Sequence, residues 1–362
     1  MQIGMMGLGR MGANMVRRLM RDDHECVVYD INPASVAALV SDGASGAASM
    51  AEFVGKLAKP RCVWLMLPAA ITGGITQINQ LIGTAIASAQ DSAVSSLAYA
   101  DRVYQLPLGV VGVAVAIVLL PELSRALKSG NLIEAANLQN RSVEFTLFMT
   151  LPAAAALWVM SEPIVRLVYE RGAFAANHST PVVAAILAIF GLGLPAFVLI
   201  KAFTPGYFAR EDTRTPMIFA AISVAVNVAT ALTLFPRMGA PGIAVASAVA
   251  GWVNALMLLA VLIRRGHWGR DVPLLKRIPR LVLSAVVMGV ALYFAEHYFA
   301  VRLGPGSPLV IKATTVLALV AGGATLYFVT AFATGGADFG MIRRNVKRGS
   351  GKAAVKDPSQ DL

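Results

Sequence analysis

Charge is scarce in this 362-residue chain: only 14% of its residues are Asp, Glu, Lys or Arg, against about a quarter in a soluble domain. With 57% hydrophobic residues and a mean hydropathy of +0.66, that scarcity excludes an ordinary soluble protein and points to a membrane protein. Cysteine is nearly missing too. Cys26 and Cys62 have no metal-ligand spacing around them, which excludes a disulfide framework and suits a reduced cytosolic setting. His178, His267 and His297 are scattered with no supporting constellation, so dehydrogenase activity is not expected. The start, Met1-Gln2-Ile3-Gly4, has no basic leader, and no signal peptide is expected. The net charge of +11 gathers between apolar segments and in the tail from Arg343 to Lys356. That pattern suits cytoplasmic loops beside anionic lipid and excludes a nucleic-acid surface.

What is present begins with a glycine motif. The apolar run Gln2 to Met6 ends in Gly7-Leu8-Gly9-Arg10-Met11-Gly12, a helix-like stretch follows from Ala13 to Arg21, and a second apolar run, Cys26 to Tyr29, ends at Asp30. Strand, G-x-G-x-x-G, helix, strand and acid is the order a dinucleotide site needs. The first glycine allows the tight turn, the second admits a pyrophosphate to the backbone, and the third lets helix and strand pack closely. Asp30 stands where a carboxylate accepts from the adenosine ribose hydroxyls and repels a 2′-phosphate, which favours NAD over NADP. Helices are expected over Ala34–Val40 and Met50–Leu57, and a third strand over Arg61–Leu67.

From Ala69 the hydropathy changes. Successive apolar runs predict about eight spans of the roughly 20 residues that cross a bilayer core, at 69–89, 94–121, 141–160, 181–205, 215–236, 239–263, 279–300 and 308–333. Lys and Arg concentrate in alternate connections, the one with Arg166 and Arg171 excepted, so both ends of the chain are expected in the cytoplasm. Pro107, Pro152 and Pro195 are expected to interrupt spans. Asp101 and Arg102 sit at the head of the run Leu106 to Leu120, where a charged pair either faces a cavity and a polar ligand or marks the membrane interface. Gln77, Gln80, Thr84 and Ser88 recur on one helix face and look into a bundle or a cavity, by ligand contact or by interhelical hydrogen bonding. Glu144 and Lys201 are the other ionisable residues of the spans, and either is a partner for Arg102 or Asp101. Asn227 and Asn254 are expected to hold helices together.

Two resemblances follow. Gly7 to Leu19, His24 to Asp30 and Lys59 to Pro68 resemble the start of a 6-phosphogluconate dehydrogenase, which implies cofactor contacts from Gly7, Leu8, Gly9, Arg10, Met11 and Gly12, from the turn Asp30, Ile31, Asn32, and from Leu67-Pro68-Ala69. The family's catalytic lysine and sugar-phosphate site have no counterpart here. The stretches Ile71 to Asn79, Tyr99 to Arg102, Leu106 to Val110, Leu119 to Ser124, Glu170 to Phe174 and Tyr207 to Pro216 resemble the lipid II flippase (MviN/MurJ) family over about residues 66–348. That resemblance implies a polytopic α-helical membrane protein, the second lobe of a multidrug/oligosaccharidyl-lipid/polysaccharide exporter-type fold, behind a partial Rossmann fragment. Its expected divisions are 1–68, 69–340 and a basic, disordered tail at 341–362. It further implies a bacterial inner-membrane location and lipid II or another polyprenyl-diphosphate lipid as cargo. Arg102 falls on the family's cavity arginine, with Asp101, Gln77, Gln80, Lys201 and Glu144 around the transport path. The first lobe is not in this sequence, so transport would call on a partner lobe or a homodimer. The alternatives are a membrane-tethered NAD(P)-binding protein and a fusion without function.

Overall fold

The computed structural model describes residues 1–30, 32–59, 61–65, 79–172, 174, 179–210, 212–268, 272–304 and 306–336; the side chains of residues 10, 11, 65, 113–118, 120, 272 and 273 lie outside that description. The chain forms two compact units, Met1–Gln80 and Leu81–Leu362. The boundary expected near residue 68 falls outside the described residues.

In the first unit four parallel strands, β1 (Gln2–Met6), β2 (Glu25–Tyr29), β3 (Ser45–Gly46) and β4 (Val63–Leu65), lie in the order β3-β2-β1-β4. The short β3 was not expected from the sequence; its two residues have too little apolar pattern to show one. Helices α1 (Arg10–Arg21), α2 (Pro33–Ser41) and α3 (Met50–Lys56) connect the strands. Asn32 starts α2 by accepting from the Ala34 amide at 3.1 Å. At the start of α3 the Ser49 hydroxyl accepts from the Glu52 amide at 3.2 Å, and the Glu52 carboxylate accepts from the Ala48 amide at 2.8 Å. Met5, Val16, Val28 and Leu39 form the core on one side, and Met6, Val27 and Phe53 on the other. Apolar residues on both sides of β1 and β2 are what a parallel sheet covered by helices requires.

The second unit is helical: α4 (Ala93–Lys128), α5 (Leu132–Val159), α6 (Ser161–Tyr169), α7 (Thr180–Phe208), α8 (Arg214–Met238), α9 (Ala240–Arg264), α10 (Val272–Tyr298), α11 (Ala300–Leu303) and α12 (Leu309–Ala333). Six helices among the described residues, α5, α7, α8, α9, α10 and α12, are long and apolar enough to cross a membrane. The expected span 94–121 falls within α4, and residues 69–78 of the span expected at 69–89 lie outside the described residues. Helix α5 begins at Leu132, nine residues before the expected span, because Asn131 caps it by accepting from the Glu134 amide at 3.0 Å. The prolines do not interrupt their helices: Pro107, Pro152 and Pro195 lie inside continuous α4, α5 and α7. In a bundle, neighbouring helices and polar side chains take up the backbone groups that proline frees.

Helix α7 is the hub. Of its most apolar stretch 61% is buried, against 11% for peripheral α8. It packs on α4, α5, α6 and α9, and long side chains lock it by reaching backbone carbonyls. Gln139 of α5 donates to Ala202 at 2.7 Å, Trp252 of α9 donates to Leu192 at 3.1 Å, and Tyr207 donates to Leu258 of α9 at 2.6 Å. Asn227 donates to Ser247 at 3.3 Å and Ser223 to the Ala250 carbonyl at 2.9 Å, joining α8 to α9. The turn between those two helices depends on Gly239. Its φ of 65° and ψ of −143° suit glycine alone, and an added Cβ would lie 2.6 Å from the Gln90 amide oxygen, which accepts from the Ala240 amide at 3.1 Å. Gly239→Ala is therefore expected to cost about 1–3 kcal/mol. The thermal unfolding midpoint in detergent should fall, while Gly306→Ala, whose Cβ would enter open space, leaves it unchanged.

Candidate functional site

Helix α4 has two unlike faces. Ala93, Ser96, Ala100, Tyr104 and Val111 are buried, and Tyr104 packs its ring on Phe190 and Phe197 of α7. Tyr99, Arg102, Leu106 and Val110, spaced three and four residues apart, form the exposed face. Arg102 lies nine residues into α4, about 13 Å along its axis. Above it the Tyr99 ring packs at a tilt on Tyr169 and edge-on to Phe174, at ring distances of 4.8 and 5.2 Å, and the Tyr169 hydroxyl donates to the Tyr99 carbonyl at 3.1 Å. Burial raises the Tyr169 phenol above its ordinary range, and the Arg102 charge pulls against it. Asp101 is half-buried and accepts from Gln105 one turn on. Among the described residues no carboxylate pairs with Arg102.

The remaining expected residues are placed as follows. Lys201 of α7 lies across α4 at Gly112, where a Cβ would meet its Cδ at 2.7 Å and its Nζ at 3.1 Å. It is half-buried and has no ion pair among the described residues. Arg102 and Lys201 thus approach α4 ten residues apart along the helix, about 15 Å. Glu144 is not brought to Arg102 or Asp101. Its buried carboxylate accepts from Arg277 of α10 at 2.6 Å, so α5 turns it away from α4 and it serves to hold α10. Gln80, Thr84 and Ser88 are exposed in the segment at 79–88, and Gln77 lies outside the described residues. Of the two asparagines, Asn227 bridges helices as expected. Arg166, in the connection that breaks the charge pattern, pairs with Glu162 and donates to the Leu303 carbonyl at 3.3 Å, while Lys312 pairs with Glu170 at 3.2 Å. A cleft of about 200 Å³ opens beside them, lined by Glu162, Arg166, Tyr293, Glu296 and His297 among others.

One cluster has no role in the sequence reading. Asp212, in the α7–α8 connection, accepts from the Thr215 amide at 3.0 Å and hydroxyl at 2.7 Å, and pairs with Arg265 just beyond α9; Arg265 also donates to Thr215 at 3.1 Å. The signal for it was the Asp-x-x-Thr spacing of a helix start, inside the stretch Tyr207 to Pro216. Burial by itself would raise the Asp212 carboxyl, but the bonds from Thr215 and then Arg265 outweigh it and hold it at about 2. Nearby His267 is pushed down by burial and by the charges of Arg210 and Arg265.

In the first unit the glycine loop has the geometry an anion needs. Gly7 adopts φ 90°, and its amide donates to the Tyr29 carbonyl at 3.1 Å. No side chain caps α1 at Gly9, and the space above Gly9 is open, so the first-turn amides are unspent. Gly12 is buried in the first turn of α1. Asp30 accepts from the Leu8 amide and from the Asn32 amide, the latter at 2.8 Å, which joins the two loops that would flank an adenosine ribose. Its carboxylate keeps acceptor sites beyond those two. The loop stands at the C-terminal end of β1, where strand order reverses between β2 and β4, the usual dinucleotide crevice. Ile31 and the side chains of Arg10 and Met11 lie outside the described residues. These residues fit a dinucleotide: backbone amides for the pyrophosphate and Asp30 for the ribose.

Comparison with known proteins yields matches for both units. Residues 56–314 match the family model of the lipid II flippase MurJ, and residues 2–91 match that of the NAD binding domain of 6-phosphogluconate dehydrogenase, so the two overlap at 56–91. A probable lipid II flippase MurJ of Rhizobium meliloti is 68% identical over 83% of this chain and 56% of its own length. That of Rhizobium tropici is 57% identical over 80% and 54%. The chain spans about half the length of the curated relatives it matches. Among solved structures, a lipid II flippase MurJ in an inward closed conformation aligns with a TM-score of 0.58 at 26% identity, over 72% of this chain and 53% of that one. A MOP superfamily transporter from Pyrococcus furiosus aligns at 0.50 and 12% identity, over 74% of this chain and 62% of that one, a likeness of fold alone.

The Asp212 cluster sets a pH dependence. A carboxyl held at about 2, below its ordinary 3.8, stabilises the fold fully above pH 3.8 and loses that contribution as pH falls toward 2. The difference in unfolding midpoint between the parent chain and Asp212→Asn should be present at pH 6 and shrink between pH 3.8 and 2. A difference that stays constant over that range would show that the carboxylate charge contributes nothing.

Proposed function

The chain belongs to the lipid II flippase MurJ family, multi-pass proteins of the bacterial inner membrane, and on that premise we propose that its helical unit binds a polyprenyl-diphosphate lipid, lipid II, with Arg102 holding the diphosphate. The observation that carries this reading is the exposed guanidinium of Arg102, which has no carboxylate partner among the described residues, on a helix packed against α7. A guanidinium presents five donors in a fixed plane, the arrangement that matches the oxygens of a diphosphate. Among the described residues Arg102 forms no ion pair within 4 Å, whereas the cations at 166, 265, 277 and 312 are paired with carboxylates. Lys201 of α7 supplies a second positive charge farther along α4, at Gly112, with Asp101 and Gln105 positioning the head of the site. Movement of the lipid across the membrane is the activity of the whole family protein, and a cavity closed on all sides needs more than the helices of this unit. Both termini are placed in the cytoplasm, as the Lys and Arg distribution favours.

Charge-assisted hydrogen bonds contribute about 1.5–3 kcal/mol each, so Arg102→Ala should weaken lipid II binding by the purified chain about ten- to hundred-fold. Arg102→Lys should recover part of that loss, and membrane insertion should be unchanged in both. Binding that is equal in all three would sink the role of Arg102.

The match of residues 2–91 and the open glycine loop support a second reading, in which the first unit binds NAD(P) with NAD preferred. When bound, the nicotinamide would supply hydride chemistry. The residues of this unit would hold only the pyrophosphate and the ribose, so dehydrogenase activity is not proposed. NADH titrated into the purified chain should change its fluorescence at lower concentration than NADPH. No response to either would remove cofactor binding from the account.

A further inference from the structure

The cleft beside Arg166 has no place in the lipid II reading, and it opens where a candidate span ends. The apolar helix Leu274–Tyr298 within α10 has 25 residues, about 37 Å of rise against a hydrocarbon core of roughly 30 Å, so its ends reach the lipid headgroups. The side chains around its last turn agree with that level. Phe294, Tyr298 and Val301 are 66%, 82% and 88% exposed, and Arg302 lies over the Phe299 ring at 5.6 Å. Exposed aromatic residues beside apolar ones and a cation suit the boundary between lipid tails and water. The cleft itself is polar: Glu162 and Arg166 of α6 and Glu296 and His297 of α10 line it. Its volume of about 200 Å³ is more than ten times the roughly 10–15 Å³ that one water needs.

The charges in the cleft do not balance. Arg166 pairs with Glu162, whereas half-buried Glu296 has no ion pair among the described residues. A carboxylate left over there attracts a cation, and the Tyr293 ring, stacked on His297 at 6.2 Å, adds an aromatic face that a cation favours. In the same cleft Arg166 has five N–H donors, of which its bonds to Glu162 and the Leu303 carbonyl use two, and His297 adds its ring nitrogens. Those groups suit a phosphate. We propose that the cleft binds an aminophospholipid headgroup, its primary ammonium on Glu296 and its phosphodiester on Arg166 and His297, with the acyl chains along Phe294 and Tyr298. The three N–H donors of a primary ammonium match a carboxylate, which only accepts; a trimethylammonium has no donor and a glycerol headgroup no positive charge. This site is independent of Arg102 and of lipid II.

The test uses the full chain, purified in detergent and stripped of lipid, with bound lipid counted by native mass spectrometry. Dihexanoyl phosphatidylethanolamine should reach half-saturation at about ten-fold lower concentration than dihexanoyl phosphatidylcholine or phosphatidylglycerol, the gain from one charge-assisted contact. Glu296→Gln keeps the shape and removes the charge; it should abolish that preference while leaving phosphatidylcholine binding unchanged. His297→Ala, at an exposed position, should weaken phosphatidylethanolamine binding several-fold with no change in the unfolding midpoint. Equal half-saturation for the three lipids, or tightest binding of phosphatidylglycerol, would overturn the proposal, as would a preference that survives Glu296→Gln. Glycerophosphoethanolamine that fills the site as tightly as the lipid would also overturn it, because the ligand would then be a soluble amine.

Discussion

Within hydrocarbon no water satisfies a stray polar group, and the helical unit is arranged around one helix that meets this constraint by being enclosed. Helix α7 presents apolar and small residues to α4, α5, α6 and α9, and Gln139, Trp252 and Tyr207 each spend a donor on a backbone carbonyl at its contacts. The rotation of each neighbouring helix follows from how it seats on α7. Because α4 buries Ala100 and Tyr104 against that hub, Arg102 must point away from it.

The charges then sort themselves by partner. Glu144 with Arg277, Lys312 with Glu170, and Asp212 with Arg265 tie helices together, and breaking one would strand its mate in a partly buried place. Arg102 and Lys201 have no such mate among the described residues. On the proposed reading, a ligand with negative charge is the physical reason to keep such cations on packed helices.

The first unit follows different physics. Its sheet has β1 and β2 covered on both sides, and its glycine loop leaves amides unspent at the start of α1. The two family matches overlap at residues 56–91, across the boundary between the units at Gln80 and Leu81.

The sequence by itself determined what depends on near neighbours: the glycine turn and its strands, the helices that follow Asn32 and Ser49, the membrane class, and the family likeness at Tyr99 to Arg102. Asn227 as a link between helices was legible as well, since an amide in a span has few other uses. Tertiary structure decided the partners. Glu144 and Arg277 stand 133 residues apart, and nothing local tells α5 to turn its carboxylate toward α10 instead of α4. The same holds for Asp212 with Arg265 and for Lys201 over Gly112. A helix that is apolar nearly all round carries little record of which face it will bury, so its rotation is settled only when it packs against its neighbours.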